Sequence, residues 1–161
     1  MKFLIACMMI SCMAVSAQAA DLGDVVKLAA GVNGAWFDGT TTAFNADFEA
    51  GGNAAASLSP HLSWVGAAYY GFDHSYFRWS TGGRVTVTDT ENPNFSVGLG
   101  IQYHGASEAE LKPAEWAPDA SFGWLPAPDR WPALAVIGQA GYGLETNRTR
   151  AILGLRYRIK L

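Results

Sequence analysis

The chain alternates. Phe95, Val97, Leu99, Ile101 and Tyr103 take every second position, with Ser96, Gly98, Gly100, Gln102 and His104 between them. The same period returns at the C-terminus. There Thr149, Ala151, Leu153, Leu155, Tyr157, Ile159 and Leu161 interleave with Arg148, Arg150, Ile152, Gly154, Arg156, Arg158 and Lys160. Successive side chains of a strand point to opposite faces, so each segment predicts a strand with one apolar and one polar side. The last stretch is too long and too one-sided for a strand of a small soluble sheet. It has the form of a strand that crosses a bilayer in a closed barrel, with lipid on one side and a polar lumen on the other.

The rest of the chain supplies six more segments. Residues 27–37 put Leu28, Ala30, Val32, Gly34 and Trp36 on one face and Lys27, Gly31 and Asn33 on the other. Asp38-Gly39 follows as a tight hairpin turn. The next strand starts near Thr42, with Phe44, Ala46, Phe48 and Ala50 outward and Asn45, Asp47 and Glu49 inward. After Ser59-Pro60, residues 62–72 turn Leu62, Trp64, Tyr70 and Phe72 outward and Ser63 and Tyr69 inward. Residues 77–87 set Phe77, Trp79, Thr81, Val85 and Val87 against Arg78, Ser80, Gly82, Arg84 and Thr86. A turn at 89–94, with Pro93, leads into the strand at 95–104. Residues 105–119 read as one long acidic loop, and a weaker strand is predicted at 120–125. Past a turn at 126–129, residues 134–145 put Leu134, Val136, Ala140 and Tyr142 opposite Gln139, Gly141 and Glu145. With the final strand the count is eight, and no helix of useful length is predicted after residue 19.

Eight strands joined by hairpins predict an all-β fold, an antiparallel up-and-down transmembrane β-barrel without a free edge. An interior of that size is filled by side chains. Eighteen glycines, many on the polar faces, suit a narrow lumen. Aromatic residues near strand ends, among them Trp36, Tyr70, Phe72, Phe77, Tyr103 and Trp131, suit interfacial girdles. The odd-numbered connections, at 38–41, 72–76, 105–119 and 145–148, are expected to be the longer, external ones.

Composition narrows the picture. Residues 1–19 have the form of a cleaved secretory signal: Lys2, an apolar run from Phe3 to Val15, then Ala17-Gln18-Ala19. The mature domain is then 20–161. Both cysteines, Cys7 and Cys12, fall in the signal, which excludes a disulfide framework and thiolate chemistry from the mature chain. Without Lys2, ten basic groups face 14 acidic ones, a balance unlike that of a nucleic-acid binder.

On this alternation, the mature chain resembles the small eight-stranded bacterial outer-membrane barrels of the OmpA/OmpX type. The likeness spans most of residues 27–161. The positions Leu153, Leu155, Tyr157, Ile159 and Leu161 also resemble the C-terminal assembly signal of such barrels, with Leu161 where an aromatic residue is usual. The resemblance implies an outer-membrane location and contacts with lipids and lipopolysaccharide. It also implies insertion by the barrel assembly machinery and recognition through external loops. It carries over no functional residue, and it leaves the ligand of the loops unknown.

Candidate chemistry is sparse, with no catalytic, cofactor-binding or metal-ligating residue assigned and no cofactor expected. The inward charges Asp47, Glu49, Arg78, Arg84, Glu145, Arg150 and Arg156 are expected to form a lumenal polar network. Its mid-height cluster would join Asp47 and Glu49 to Arg84 and Arg156, because an unpaired charge in a water-poor lumen is costly. Asp73-His74-Ser75 holds triad residue types, but neighbours in sequence cannot fold back into a relay. His104 with Ser107 suggests an outer-leaflet lipid A acyl hydrolase as one alternative function. A narrow channel for small polar solutes is a second. A soluble periplasmic ligand-binding barrel, with the apolar faces turned inward, is the rival architecture.

Overall fold

In the computed structural model, residues 25–38, 44–73, 75–107 and 114–160 are described. The expected signal peptide, His74 and Leu161 lie outside the described residues. Eight strands follow one another: β1 (Val26–Asp38), β2 (Phe44–Ser57), β3 (Leu62–Gly71), β4 (Phe77–Thr88), β5 (Phe95–Ala106), β6 (Glu115–Trp124), β7 (Leu134–Tyr142) and β8 (Thr149–Ile159). Each pairs antiparallel with its neighbours in sequence, and β1 pairs with β8 from Leu28↔Ile159 to Phe37↔Arg150, which closes the barrel. Strands of 9 to 14 residues are long enough to cross a hydrocarbon layer when tilted. Closure satisfies the ladder groups that an edge would leave bare in lipid.

The barrel is inside-out relative to a soluble one. Its few buried apolar side chains, such as Ala35, Phe37, Val65 and Ile152, share the interior with buried Asn33, Glu49, Arg78, Gln102, Glu115, Asp119, Arg150 and Arg156. Large apolar residues stand on the outside: Leu99 is 70% exposed, and Phe48, Val97, Ile101, Leu153 and Leu155 are also open. Such a surface is stable against hydrocarbon and unstable in water. The soluble reading, which required those side chains to fill a cavity, is therefore corrected.

Aromatic residues gather near both rims. Trp79, Tyr103 and Trp116 pack in series at one end, tilted and then edge-on, with centroid separations of 5.7 and 5.3 Å, and Phe95 stacks on Phe122 near the other. The outward Trp64 donates its indole N–H to Thr81 Oγ1 at 2.9 Å, so it carries no bare donor on the apolar face.

Two expectations from the sequence are corrected. The sixth strand begins at Glu115, not near Ala120, and residues read as acidic loop become its first half. Its ladder to β7 begins at Asp119↔Gly141, one residue past Pro118, so the amide proton that proline lacks falls where that ladder has not yet started. The connections also do not sort by length. The end bearing the described chain termini, called here the terminal end, carries the connection at 125–133, which outruns the one at 107–114 at the opposite, loop end. Backbone bonds from Arg130 and Trp131 to the Ala127 carbonyl fold it into a compact turn.

The register generates a test of facing. Leu155 is exposed and lies opposite Val32 on β1 and Val136 on β7, within one apolar stripe. Leu155→Arg is expected to lower the stability of the lipid-embedded barrel by about 2–4 kcal/mol, whereas Leu155→Phe is expected to change it little. Urea unfolding of the refolded variants in lipid vesicles checks this.

Candidate functional site

Alternation on every strand sends polar side chains into the barrel, where they meet in three acid–arginine groups, two at the loop end and one at mid-height. In the first, Glu49 of β2 accepts from Arg78 Nε and Nη2, both at 2.7 Å. Tyr76 Oη at 2.8 Å and Asn33 Nδ2 at 3.1 Å complete its donors. Tyr76, just before β4, packs edge-on against Phe37 with centroids 5.9 Å apart. Burial, reinforced by the adjacent Glu49, pushes the Tyr76 pKa up, so it serves as a neutral donor.

The second group centres on Glu115, the first residue of β6. It accepts from Arg150 at 3.0 Å, from the Thr146 hydroxyl at 2.6 Å, and from the Glu145 and Thr146 amides at 3.0 Å each. One buried carboxylate thus neutralises an arginine and holds the β7–β8 turn. In that turn Asn147 takes a positive φ of 54°, a conformation that asparagine tolerates. The third group centres on Asp119. Its Oδ2 accepts from Arg84 at 2.6 Å and from Gln102 and Gln139 at 3.0 Å each. Charge-assisted bonds of this kind offset the cost of taking the charges out of water.

The expected network residues fall as follows. Glu49, Arg78, Arg84, Arg150 and Arg156 all reach the interior, but the pairing differs from expectation. Glu49 meets Arg78, Arg84 meets Asp119, and Arg156 bonds Asn53 Oδ1 while lying 5.0 Å over the Tyr69 ring. Asp47 accepts from the Phe48 amide at 2.6 Å and the Asp73 amide at 3.0 Å, tying down the β3–β4 connection. Glu145 is exposed, and only its backbone enters the network. The expected mid-height cluster does not form because neighbouring strands are staggered. Arg78 lies opposite Tyr69, which lies opposite Gly51, two residues deeper on β2 than Glu49, so Arg78 reaches Glu49 diagonally. Glu115, Asp119 and Tyr76 were missed because all three were read as loop. Gln102 and Gln139 were already legible as inward by parity.

The Ser107–His104 relay is not formed. Ser107 Oγ accepts from the Phe77 amide at 2.7 Å, and neither ring nitrogen of the buried His104 has a hydrogen-bond partner among the described residues. Among the described residues no three His, Asp or Glu side chains gather as a metal site. Of the assembly-signal positions, Leu153, Leu155, Tyr157 and Ile159 all face outward.

With this geometry in view, comparison with known proteins is informative about fold. A de novo designed transmembrane β-barrel matches with a TM-score of 0.58 at 15% identity, covering 83% of this chain and 95% of the design. The crystal structure of Neisserial surface protein A (NspA) matches at 0.56 and 12% identity, covering 84% of this chain and 97% of NspA. The architecture is OmpA/OmpX-like. A second designed barrel, TMB2.3, solved by NMR in solution, matches at 0.54 and 20% identity, over 85% of this chain and 97% of the design. No protein-family model matches the chain, and no curated protein matches it in sequence. At these identities the likeness is one of fold, and the lumenal groups are described from this chain alone.

Glu115 separates a structural charge from a solvated one. Glu115→Ala removes the acceptor of Arg150 and of the β7–β8 turn together, and is expected to cost about 3–5 kcal/mol of stability, as breaking a buried pair does. The exposed Glu145→Ala should change stability by less than about 0.5 kcal/mol. Urea titration of both refolded variants measures the difference.

Proposed function

We propose that this chain is an integral outer-membrane barrel of the bacterial envelope, made with a cleaved signal at 1–19, whose external connections form an interaction surface and whose lumen does not conduct. The observation that carries this reading is the set of three acid–arginine groups across the interior, from the loop end to mid-height. They occupy the space through which a solute would pass, which weighs against a pore for polar solutes. The apolar exterior and aromatic rims favour contact with lipid and, on the outer side, lipopolysaccharide. The alternating residues of β8 suit insertion by the barrel assembly machinery.

The loop end is assigned to the cell exterior and the terminal end to the periplasm. This follows the even strand count, which leaves both chain termini on the side where a chain secreted through the inner membrane would enter. The β3–β4 and β7–β8 connections at the loop end are each anchored by a buried carboxylate, Asp47 and Glu115 respectively. Anchoring lowers the entropy lost when a partner binds them.

Because the mature chain would be free of cysteine, single cysteines report orientation directly. In intact cells a membrane-impermeant maleimide is expected to label Glu145→Cys and spare Thr90→Cys, with both labelled after permeabilisation. Labelling of Thr90→Cys alone would reverse the orientation, and protection of neither in intact cells would contradict an embedded barrel.

A further inference from the structure

The terminal half of the lumen differs in kind from the loop-end half. It holds a cavity of about 380 Å³ whose lining runs from the strand ends to Ser59, Pro60 and His61 of the β2–β3 turn. Five basic side chains line it: Lys27, His61, Arg84, Arg156 and Arg158. Among the described lining residues there is no aspartate or glutamate. Ser57, Ser96, Ser121 and Thr86 add hydroxyls to the same wall. The imbalance follows from the layout above: Glu49 and Glu115 pair at the loop end, and Asp119 pairs at mid-height with Arg84 alone of these five.

The two arginines at the roof of this cavity still have donors to offer. Arg156 is more than nine-tenths buried, and its Nη1 donates to a neutral amide oxygen, Asn53 Oδ1. Its Nε has no hydrogen-bond partner among the described residues, and neither does Nε of Arg84, whose Nη2 is held by Asp119. A buried guanidinium without an acid beside it is costly unless an anion completes it. Guanidinium forks match tetrahedral oxyanions, and hydroxyls supply the remaining donors.

We propose that this vestibule binds a phosphate group presented from the periplasmic side, with Arg156 and Arg84 as its inner ligands and Lys27 and Arg158 as the rim that draws it in. The ligand is a small phosphate-bearing solute, since the opening lies inside the ring of strands and not on the lipid-facing wall. With the loop-end half filled, the pocket is a dead end, so it binds without transporting.

Isothermal titration of the full mature chain, refolded in a phosphate-free non-ionic detergent, provides the test, with inorganic phosphate and glycerol phosphate as probes and chloride as the reference anion. Saturable 1:1 binding of either phosphate is expected, weakened about tenfold or more in Arg156→Gln, as loss of a charge-assisted bond implies. Lys27→Gln with Arg158→Gln, which alters only exposed rim positions, should weaken binding even if Arg156→Gln does not fold. Arg148→Gln, which removes a charge at the opposite end, should leave it unchanged. The same titration in nanodiscs with and without anionic phospholipid separates the sources. Competition by the lipid would reassign the ligand to a headgroup and overturn the solute assignment. No saturable binding, or binding untouched by both vestibule variants, would overturn the site.

Discussion

A charge inside a narrow barrel must find its partner there. Water is scarce, the wall is lipid-facing, and an ion left alone costs several kcal/mol. Glu49 and Glu115 are therefore saturated, accepting four hydrogen bonds apiece, and Asp119 Oδ2 accepts three. Much else follows from that demand. β6 starts with an acid so that the β7–β8 turn has an anchor, and glutamines on β5 and β7 face inward because Asp119 needs neutral donors. Glycines make room. A Cβ on Gly100 would come within 2.7 Å of Asp119 Oδ1, and one on Gly143 would fall on the Glu115 carboxylate, which is too tightly bonded to move aside.

The two faces of the barrel obey opposite rules on the same strands. Outward positions gain by contact with hydrocarbon, so they carry Leu, Val and aromatic side chains without needing close-packed partners. Inward positions are small or charged because the enclosed radius admits little else. The interior itself divides along its length. Its loop-end half holds paired charges, while its terminal half opens outward and carries Lys27, Arg156 and Arg158 with no acid among the described lining residues. One end is thereby suited to hold loops still, and the other to receive an anion.

Much of this architecture was legible in the sequence. β5 alternates without interruption and β8 with one break, at Ile152, so their extent and facing could be read residue by residue, and the apolar faces of β3 and β4 were nearly as clear. β6 was obscured at its start. Ala117 is small, Pro118 suggests a turn, and Glu115 and Asp119 look solvated until a lumen is known to lie on their side. The partners of the lumenal charges were not legible at all. Parity says that Arg78 and Arg84 point inward. Which acid each meets depends on the stagger between strands, set by registers such as Arg78↔Tyr69 and Gly100↔Asp119 that arise only when the barrel closes. Arg156 shows the limit best: the sequence offered it Asp47 or Glu49, and the closed barrel gives it Asn53 and the face of Tyr69.

The central claim is that hydrogen-bonded acid–arginine groups seal the loop-end half of the lumen. Single-channel recording of the refolded chain in planar bilayers tests it most directly, with Glu49→Gln combined with Asp119→Asn as the comparison. A sealed lumen predicts no steady open level for the wild type and transient, flickering openings in the double variant, where two arginines lose their acids. A steady open conductance in the wild-type protein would contradict the account.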